Sequence, residues 1–130
     1  MPLERNHVRG IVDTYVTAWH QQDPDLIVTI FTEDATYHER VLEEPIRTRS
    51  GIRRYWQQKV VRGQARIQCR VLSLYLDGET AIVEWEVHFD DKEAGVRKRM
   101  REVAILEFAD GLIASLREYW ASEALGPIGS

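Results

Sequence analysis

The stretch TAIVEWEVHFD, residues 80–90, decides the fold class, because apolar and polar side chains alternate through its centre. Successive side chains of a β-strand point to opposite faces of the sheet. The pattern therefore predicts a strand that is buried on one side and exposed on the other. The side predicted to face the core carries Val83, Trp85, Val87 and Phe89. The side predicted to face outward carries Glu84, Glu86 and His88.

Strand-like sequence continues on both sides of this stretch. The predicted strands are Ala65–Leu76, Thr80–Asp90, Val96–Ala109 and Leu112–Ala121. Asp-Gly pairs at residues 77–78 and 110–111 are typical of tight hairpin turns, and a longer charged turn spans residues 90–95. Consecutive strands joined by hairpins predict an antiparallel meander.

The first half of the chain is predicted to be mainly helical. Apolar residues spaced by three and four positions, from Val8 to Trp19, are typical of an amphipathic helix. Asp23 followed by proline predicts the start of a second, short helix. Residues 36–40 predict a first strand, and residues 49–61 predict a third helix. Helices followed by a meander predict one α+β domain over residues 1–125, with a flexible tail at residues 126–130.

Two acidic residues fall on strand faces that the alternation otherwise makes apolar. Glu102 lies two residues from Met100 on one predicted strand, and Glu118 lies between Leu116 and Trp120 on the next. Burying a carboxylate away from water is unfavourable, so acids at such positions are candidates for a functional site.

Several segments together resemble the SnoaL-like branch of the nuclear transport factor 2-like superfamily. They are YVTAWHQQDPDLIVTIFTEDATYHE at residues 15–39, EP at residues 44–45, IRRYW at residues 52–56 and DGLIASLREYW at residues 110–120. The resemblance implies a cystatin-like cone, in which three N-terminal helices pack on a strongly curved, mixed but mostly antiparallel sheet. The cavity of this fold is often a ligand site. Members include isomerases, polyketide cyclases, epoxide hydrolases, dehydratases and non-catalytic domains, so fold alone leaves the activity open.

Comparison with the ketosteroid isomerases of this superfamily implies catalytic candidates. Tyr15 matches the tyrosine that donates a hydrogen bond to the substrate oxygen, and Glu39 matches the acid that shuttles the proton. The second, protonated acid of those enzymes is missing, because Ala104 occupies its position. Losing one oxyanion donor typically slows catalysis about 100-fold or more, so ketosteroid isomerase activity is not expected. Glu102 and Glu118 are expected to share the cavity with Glu39, and such crowding raises at least one carboxyl pKa.

Structural roles remain open for the same side chains. The Glu39 carboxylate could form an ordinary ion pair at the cavity mouth. Its candidate partners are Arg47, Arg53 and Arg117. Tyr15 could be a core tyrosine whose hydroxyl has a protein partner.

The epoxide-hydrolase branch resembles the chain only near its C-terminal end. The mechanism of that branch needs an arginine between two aspartates. Trp85 and Val87 stand where the arginine and the first aspartate are expected, and only the last acid remains, as Glu118. Epoxide hydrolysis by that mechanism is therefore not predicted.

Large aromatic residues fall on the faces predicted to point inward. A well-filled core explains some of them, and an aromatic-lined pocket for a flat, mostly apolar ligand explains their occurrence together with acids. The candidate ligand-binding residues are Trp19, Tyr37, Trp56, Trp85, Glu102, Leu106, Leu116 and Trp120.

Two hypotheses of function follow from these residues. In the first, the domain catalyses isomerisation, cyclisation or dehydration of a small hydrophobic cyclic metabolite by proton transfer, without a cofactor. Glu39 is then the general base or acid, Tyr15 a hydrogen-bond donor, and Glu118 a further acid assisted by Glu102. In the second hypothesis the domain is non-catalytic and serves ligand binding or dimerisation.

Composition limits the partners and the location. The 130 residues carry a net charge of −4, so nothing favours binding to nucleic acid or to an anionic membrane. Cys69 is the single cysteine, which excludes an intrachain disulfide and fits a reducing, cytoplasmic compartment. The four histidines have no metal-ligand spacing, so no metal site is predicted. The family resemblance implies a homodimer.

Overall fold

A computed structural model describes residues 3–129, which contain three α-helices and six strands. The helices are α1 Arg5–Gln21, α2 Pro24–Ile27 and α3 Thr48–Trp56. The strands are β1 Phe31–His38, β2 Ile46–Arg47, β3 Gln64–Asp77, β4 Thr80–Asp91, β5 Val96–Ala109 and β6 Leu112–Pro127. A 3-10 turn, Val28–Ile30, follows α2, and a π-helical turn, Gln57–Val61, follows α3. The predicted α+β class is confirmed.

All six strands of the described chain form one sheet, in the order β2-β1-β6-β5-β4-β3. Strands β3 to β6 form the predicted antiparallel meander. Strand β1 pairs in parallel with β6 and antiparallel with β2, so the sheet is mixed but mostly antiparallel, as predicted. The prediction of three N-terminal helices is only loosely met, because α3 follows the first two strands instead of preceding the sheet.

The predicted hairpin turns join β3 to β4 and β5 to β6. Asp77 pairs with Thr80 across the first turn, and Ala109 pairs with Leu112 across the second. Gly78 has a φ of +61° and Gly111 a φ of +81°, which is backbone conformation that glycine adopts without strain. The Asp-Gly pairs therefore set the pairing next to two of the three turns of the meander.

Strand β4 turns its apolar side toward the helices, as its alternation predicts. Val83, Trp85 and Val87 are fully buried. The prediction that Glu86 faces outward is correct for its face, yet the residue is only 6% exposed. Arg101 and Arg70 form ion pairs with its carboxylate at 2.8 and 3.2 Å. The low exposure of Glu86 therefore comes from these arginine side chains and not from packing in the core.

Helix α2 begins where Asp23 and Pro24 predict. The Asp23 carboxylate accepts hydrogen bonds from the backbone N–H groups of Asp25 and Leu26, at 3.0 and 3.1 Å. These contacts satisfy donors that the first helical turn leaves free, and proline at the first position needs no partner. The cap starts the short segment that leads the chain from α1 to β1.

The ends of the sheet differ from prediction. Strand β1 starts at Phe31 and ends at His38, earlier than the predicted residues 36–40. Strand β6 continues past Ala121, its predicted end, and past the predicted domain boundary at residue 125, because Gly126 and Pro127 pair with the first residues of β5. Of the predicted tail, Ser130 lies outside the described residues. No helix within residues 3–129 has the length and apolar character that crossing a membrane requires.

Candidate active site

A cavity of about 140 Å³ lies between the helices and the inner face of the sheet. Helix α1 contributes Tyr15 and Trp19 to its wall, and α3 contributes Tyr55 and Trp56. The spacing of four residues in α1 places both of its aromatic rings on the buried side of the helix. The wall formed by the helices is therefore aromatic.

Eight of the eleven predicted site residues line this cavity. They are Tyr15, Trp19, Tyr37, Glu39, Trp56, Glu102, Glu118 and Trp120. The other three, Trp85, Leu106 and Leu116, lie in the core behind the cavity wall, with exposures of 0%, 1% and 0%. They are therefore not among the residues that line the cavity, because alternation along a strand predicts the face of a side chain but not its depth. Trp85 is covered by the Tyr15 ring, whose centroid lies 4.7 Å away.

Glu118 lies at the floor of the cavity and is held by two tyrosines. The Tyr37 hydroxyl donates to Glu118 Oε1 at 2.8 Å, and the Tyr15 hydroxyl lies 3.4 Å from the same oxygen. The two hydroxyls also hydrogen-bond each other at 2.9 Å. Three separate elements, α1, β1 and β6, thus fix the position of one carboxyl group.

Glu102 lies on the neighbouring strand, two residues from the register partner of Glu118, and each of the two carboxyl groups influences the pKa of the other. The Trp85 indole N–H donates to Glu102 Oε2 at 2.7 Å. Ala104, which occupies the position of the missing isomerase acid, pairs directly with Glu118 across β5 and β6. The adjacent strand therefore brings a buried acid next to the position that lacks one.

The environment of the two carboxyls favours their neutral forms. Burial, with a smaller contribution from the charge of Glu39, raises the pKa of Glu102 to about 8, although the hydrogen bond from Trp85 acts in the opposite direction. Burial, followed by the charge of Glu102, raises the pKa of Glu118 well above its usual range. Carboxyls buried this closely cannot both ionise easily, so the pair holds at least one proton at neutral pH. The cavity floor is thus an acid, as the crowding of three glutamates predicts.

The flanking tyrosines remain protonated donors. Burial, with the charge of Glu118, raises the pKa values of Tyr15 and Tyr37 well above their usual range. Neither hydroxyl is therefore a source of phenolate in this site.

Glu39 lies at the cavity mouth, one residue beyond the end of β1. The last register pair of β1 with β6 is His38 with Arg117, and Glu39 and Glu118, the residues that follow, both line the cavity. The Glu39 carboxylate is 20% exposed and forms an ion pair with Arg40 at 3.2 Å. The prediction of an ion pair was correct in kind, but the predicted partners were wrong. Those arginines pair elsewhere, Arg47 with Glu44, Arg53 with Asp25 and Arg117 with Glu107.

Trp120 covers part of the mouth. Its indole N–H donates to the Glu39 carbonyl at 3.2 Å, and the Arg40 guanidinium lies 5.3 Å from its ring centroid. The residue is 37% exposed, because β6 leaves the core at this point. Trp120 is therefore a rim residue and not part of the floor.

Eleven lining residues were missed as site residues, among them the buried or half-buried Tyr55 and Gln64. Tyr55 lies 5.5 Å from Tyr37 between ring centroids, and burial raises its pKa. Its place on the apolar face of the third helix was a usable signal. Gln64 is 7% exposed and accepts a hydrogen bond from Trp19 at 3.0 Å. It begins β3 directly after a glycine, where no periodicity marks it.

The described part of the chain contains no cluster of candidate metal ligands. Within residues 3–129, no group of three or more His, Cys, Asp or Glu side chains is arranged to hold a metal ion.

Comparisons with solved structures agree on the fold. An epoxide hydrolase/cyclase-like enzyme, SalBIII, involved in pyran ring formation in the polyether salinomycin, is 23% identical, with a TM-score of 0.80 over 95% of this chain and 99% of that one. A putative ketosteroid isomerase from Kribbella flavida is 24% identical, with a TM-score of 0.69 over 96% and 84%.

A third similar structure carries a ligand. It is a hypothetical protein from Catenulispora acidiphila with a ketosteroid isomerase-like fold, in complex with trimethylamine. It is 19% identical, with a TM-score of 0.75 over 84% of this chain and 83% of that one. No curated protein matches the sequence significantly. The family model of the SnoaL-like domain matches residues 12–116. Since this match covers most of the chain, the protein belongs to the SnoaL-like domain family.

Proposed function

We propose that this protein is a cytoplasmic, cofactor-independent isomerase, cyclase or dehydratase that moves a proton on a small hydrophobic cyclic metabolite. The observation that carries the proposal is the buried pair Glu102–Glu118 at the floor of an aromatic cavity, with Glu39 at the mouth. General acid–base catalysis needs a protonated acid and a carboxylate within reach of one ligand. The cavity offers both.

The roles follow from the environment of each carboxyl. The protonated pair donates to the ligand oxygen, with Tyr37 and Tyr15 holding Glu118 in place. This oxygen is bonded to one ring carbon of the ligand. Glu39 removes a proton from the ring carbon adjacent to it. In an isomerisation the same proton returns to a different carbon, so the ligand gains and loses nothing.

The Glu39–Arg40 ion pair is the observation that favours the second hypothesis, non-catalytic ligand binding. An ion pair keeps the carboxylate from acting as a base until the pair opens. The Arg40 side chain is 56% exposed, and exposed ion pairs contribute only about 0–1 kcal/mol. A bound ligand can therefore displace Arg40, and we favour the catalytic function.

A cyclic enone tests the proposal. The cavity is close to the size that holds one six-membered ring, on the order of 150 Å³. We expect the protein to accelerate conversion of cyclohex-3-enone to cyclohex-2-enone, followed by ultraviolet absorbance, and to exchange the α-protons of cyclic ketones in deuterated water. Removing an acid or a base is expected to lower the rate at least about 100-fold in Glu118→Gln and in Glu39→Gln.

Glu44→Gln is the matched control for these variants. Glu44 lies in the same mouth loop, but its side chain is 93% exposed, so the rate should not change. Rates that are equal in wild type, Glu118→Gln and Glu39→Gln would reject the catalytic roles. Ring binding without any proton exchange would establish the non-catalytic alternative.

Similarity to SalBIII supports ring chemistry in this fold without defining it here, since 23% identity concerns the fold alone. The residues argue against the epoxide-hydrolase mechanism. Trp85 and Val87, where its arginine and first aspartate are expected, are both fully buried in the core.

We also propose that the protein is a homodimer that pairs through the outer face of the sheet. Tyr75 and Tyr119 are 62% and 46% exposed there. Ile82 lies between Tyr75 and Ile105 in register, and Val103 lies opposite Tyr119, which makes an apolar patch among the charges. A self-complementary patch is typical of two-fold dimers. Light scattering should give twice the 15.1 kDa chain mass, and Val103→Glu should give the monomer. A monomeric wild type would contradict the dimer.

A further inference from the structure

The guanidinium of Arg40 lies at the mouth of the cavity, beside an aromatic ring and two carboxylates. It is 5.3 Å from the centroid of the Trp120 ring. The Arg40 Nε atom is 3.2 Å from Glu39 Oε2 and 3.5 Å from Glu43 Oε2. Aromatic ring faces and carboxylates are the groups that bind guanidinium cations in proteins. These three groups, the mouth site, therefore form a cation site that a side chain of the protein itself occupies.

The mouth site is held together by contacts that do not involve the Arg40 side chain. The Trp120 indole N–H donates to the backbone carbonyl of Glu39 at 3.2 Å, which anchors the ring. The Glu43 backbone N–H donates to the Arg40 carbonyl at 3.1 Å. This turn brings the second carboxylate back to the nitrogen atom that the first one contacts. The site is therefore expected to keep its shape when the guanidinium leaves.

Arg40 itself is held weakly and can be replaced from solution. More than half of its side chain is exposed, and exposed ion pairs contribute little to stability. Trp120 and Glu43 are also exposed, and Glu39 is partly exposed. A small cation in solution can therefore reach the mouth site and compete with the arginine.

The charges around the mouth site favour a positive ligand. The other arginine of the loop, Arg47, pairs with Glu44 at 3.9 Å. In the cavity lining, Lys98 pairs with Asp91 at 2.7 Å. Among the residues that the structure describes, no cation other than Arg40 lies over an aromatic ring. Once Arg40 moves away, two carboxylates stand next to an exposed ring without a counter-ion, which attracts cations and repels anions.

We propose that the mouth site binds a small planar organic cation of the guanidinium class, which displaces the Arg40 side chain. The inference goes beyond the proposed function, because binding at the mouth needs no proton transfer. It also adds regulation to that function. A cation paired with Glu39 keeps this carboxylate from acting as a base, so the bound cation is an inhibitor.

Methylguanidinium tests the site, because it carries the head group of arginine without the chain. N-Methylurea is the neutral control of nearly the same shape, and sodium chloride at equal concentration is the control for ionic strength. In ¹⁵N-labelled protein, methylguanidinium should shift the Trp120 indole resonance and move the Arg40 Nε resonance toward its position in free arginine. Shifts of equal size with either control compound would overturn the proposal.

Removing the internal competitor should increase the affinity. We expect Arg40→Ala to bind methylguanidinium about fivefold more tightly than wild type, the size of effect when one exposed ion pair and one exposed cation–π contact no longer compete. Arg47→Ala is the matched control, because it removes the same charge from the same loop but from the ion pair with Glu44. An Arg40→Ala variant that binds no more tightly than Arg47→Ala would reject the site.

Removing either kind of contact should abolish this gain. Trp120→Ala and Glu43→Gln, each combined with Arg40→Ala, should return the affinity to the wild-type value or below. Trp120 and Glu43 are exposed, so both combinations are expected to fold. A gain that persists in either combination would place the cation elsewhere and contradict the mouth site.

The outcomes separate this inference from the proposed function. If methylguanidinium binds as expected and ketone α-protons never exchange, the mouth site stands and the catalytic proposal fails. If the protons exchange and Arg40→Ala gains no affinity, the catalytic proposal stands and the mouth site fails. Where both hold, saturating methylguanidinium should slow the exchange, and an unchanged rate would reject its role as an inhibitor.

Discussion

Replacing Trp85 with alanine is expected to lower the free energy of unfolding by about 3–5 kcal/mol, the usual range for losing a large aromatic ring from a core. Trp85 is fully buried, and its ring packs 4.7 Å from Tyr15 and 6.0 Å from Trp19 between centroids. The substitution also removes the indole donor to Glu102. The substitution therefore removes contacts to two residues that line the cavity, packing on Tyr15 and the hydrogen bond to Glu102.

Two controls give this prediction its meaning. Trp85→Phe keeps most of the ring but not the N–H, so its loss should be clearly smaller. Trp120→Ala removes the same atoms from a residue that is 37% exposed and should lose less than half as much as Trp85→Ala. Urea denaturation followed by far-ultraviolet circular dichroism measures all three, because tryptophan fluorescence changes with the substitutions themselves. Equal losses at both tryptophans would contradict the assignment of Trp85 to the core.

Stability is expected to fall as the pH rises from about 5 to about 8. In the unfolded chain Glu102 loses its proton near the ordinary glutamate pKa, whereas in the folded protein burial raises its pKa to about 8. Between those values the folded state binds more protons than the unfolded state, so raising the pH favours unfolding. One pKa unit corresponds to about 1.4 kcal/mol, so the loss is on the order of 4 kcal/mol.

The variant Glu102→Gln isolates this effect. Glutamine is similar in shape and does not titrate, so the pH profile between 5 and 8 should become shallower by the contribution of Glu102, while Glu118, whose pKa burial also raises, keeps the remaining slope. The variant should be the more stable protein at pH 8. Glu93→Gln, in the exposed turn between β4 and β5, should leave the profile as it is in wild type. Denaturant midpoints across this pH range provide the measurement. A wild-type profile that is flat or rises over this range would contradict a protonated pair.

The sheet was predictable because its signals are local. The alternation of Val83, Trp85 and Val87 gives one face, and the Asp-Gly turns give the register. The alternation does not indicate which strands pair with each other. The parallel pairing of β1 with β6 joins residues about eighty positions apart, and no local pattern specifies it.

The site was partly predictable for the same reason. Burial of Glu102 and Glu118 follows from their faces on strands. The ion-pair partner of Glu39 could not be predicted in this way. It depends on the conformation of a loop without sequence periodicity, and also on the fact that the other arginines already pair with other acids. The contact of Arg40 with Trp120 is beyond any sequence pattern, since it joins that loop to the last strand of the chain.

The last strand of the chain lies in the interior of the sheet, between β1 and β5. Translation therefore delivers the central strand after every strand that flanks it. Until Leu112–Pro127 has left the ribosome, β1 has only the two-residue β2 as a partner and β5 has an open edge. Glu118 also arrives with this segment. A nascent chain stopped before residue 112 would expose two unpaired strand edges, which are sites for aggregation, and would lack half of its buried acid pair.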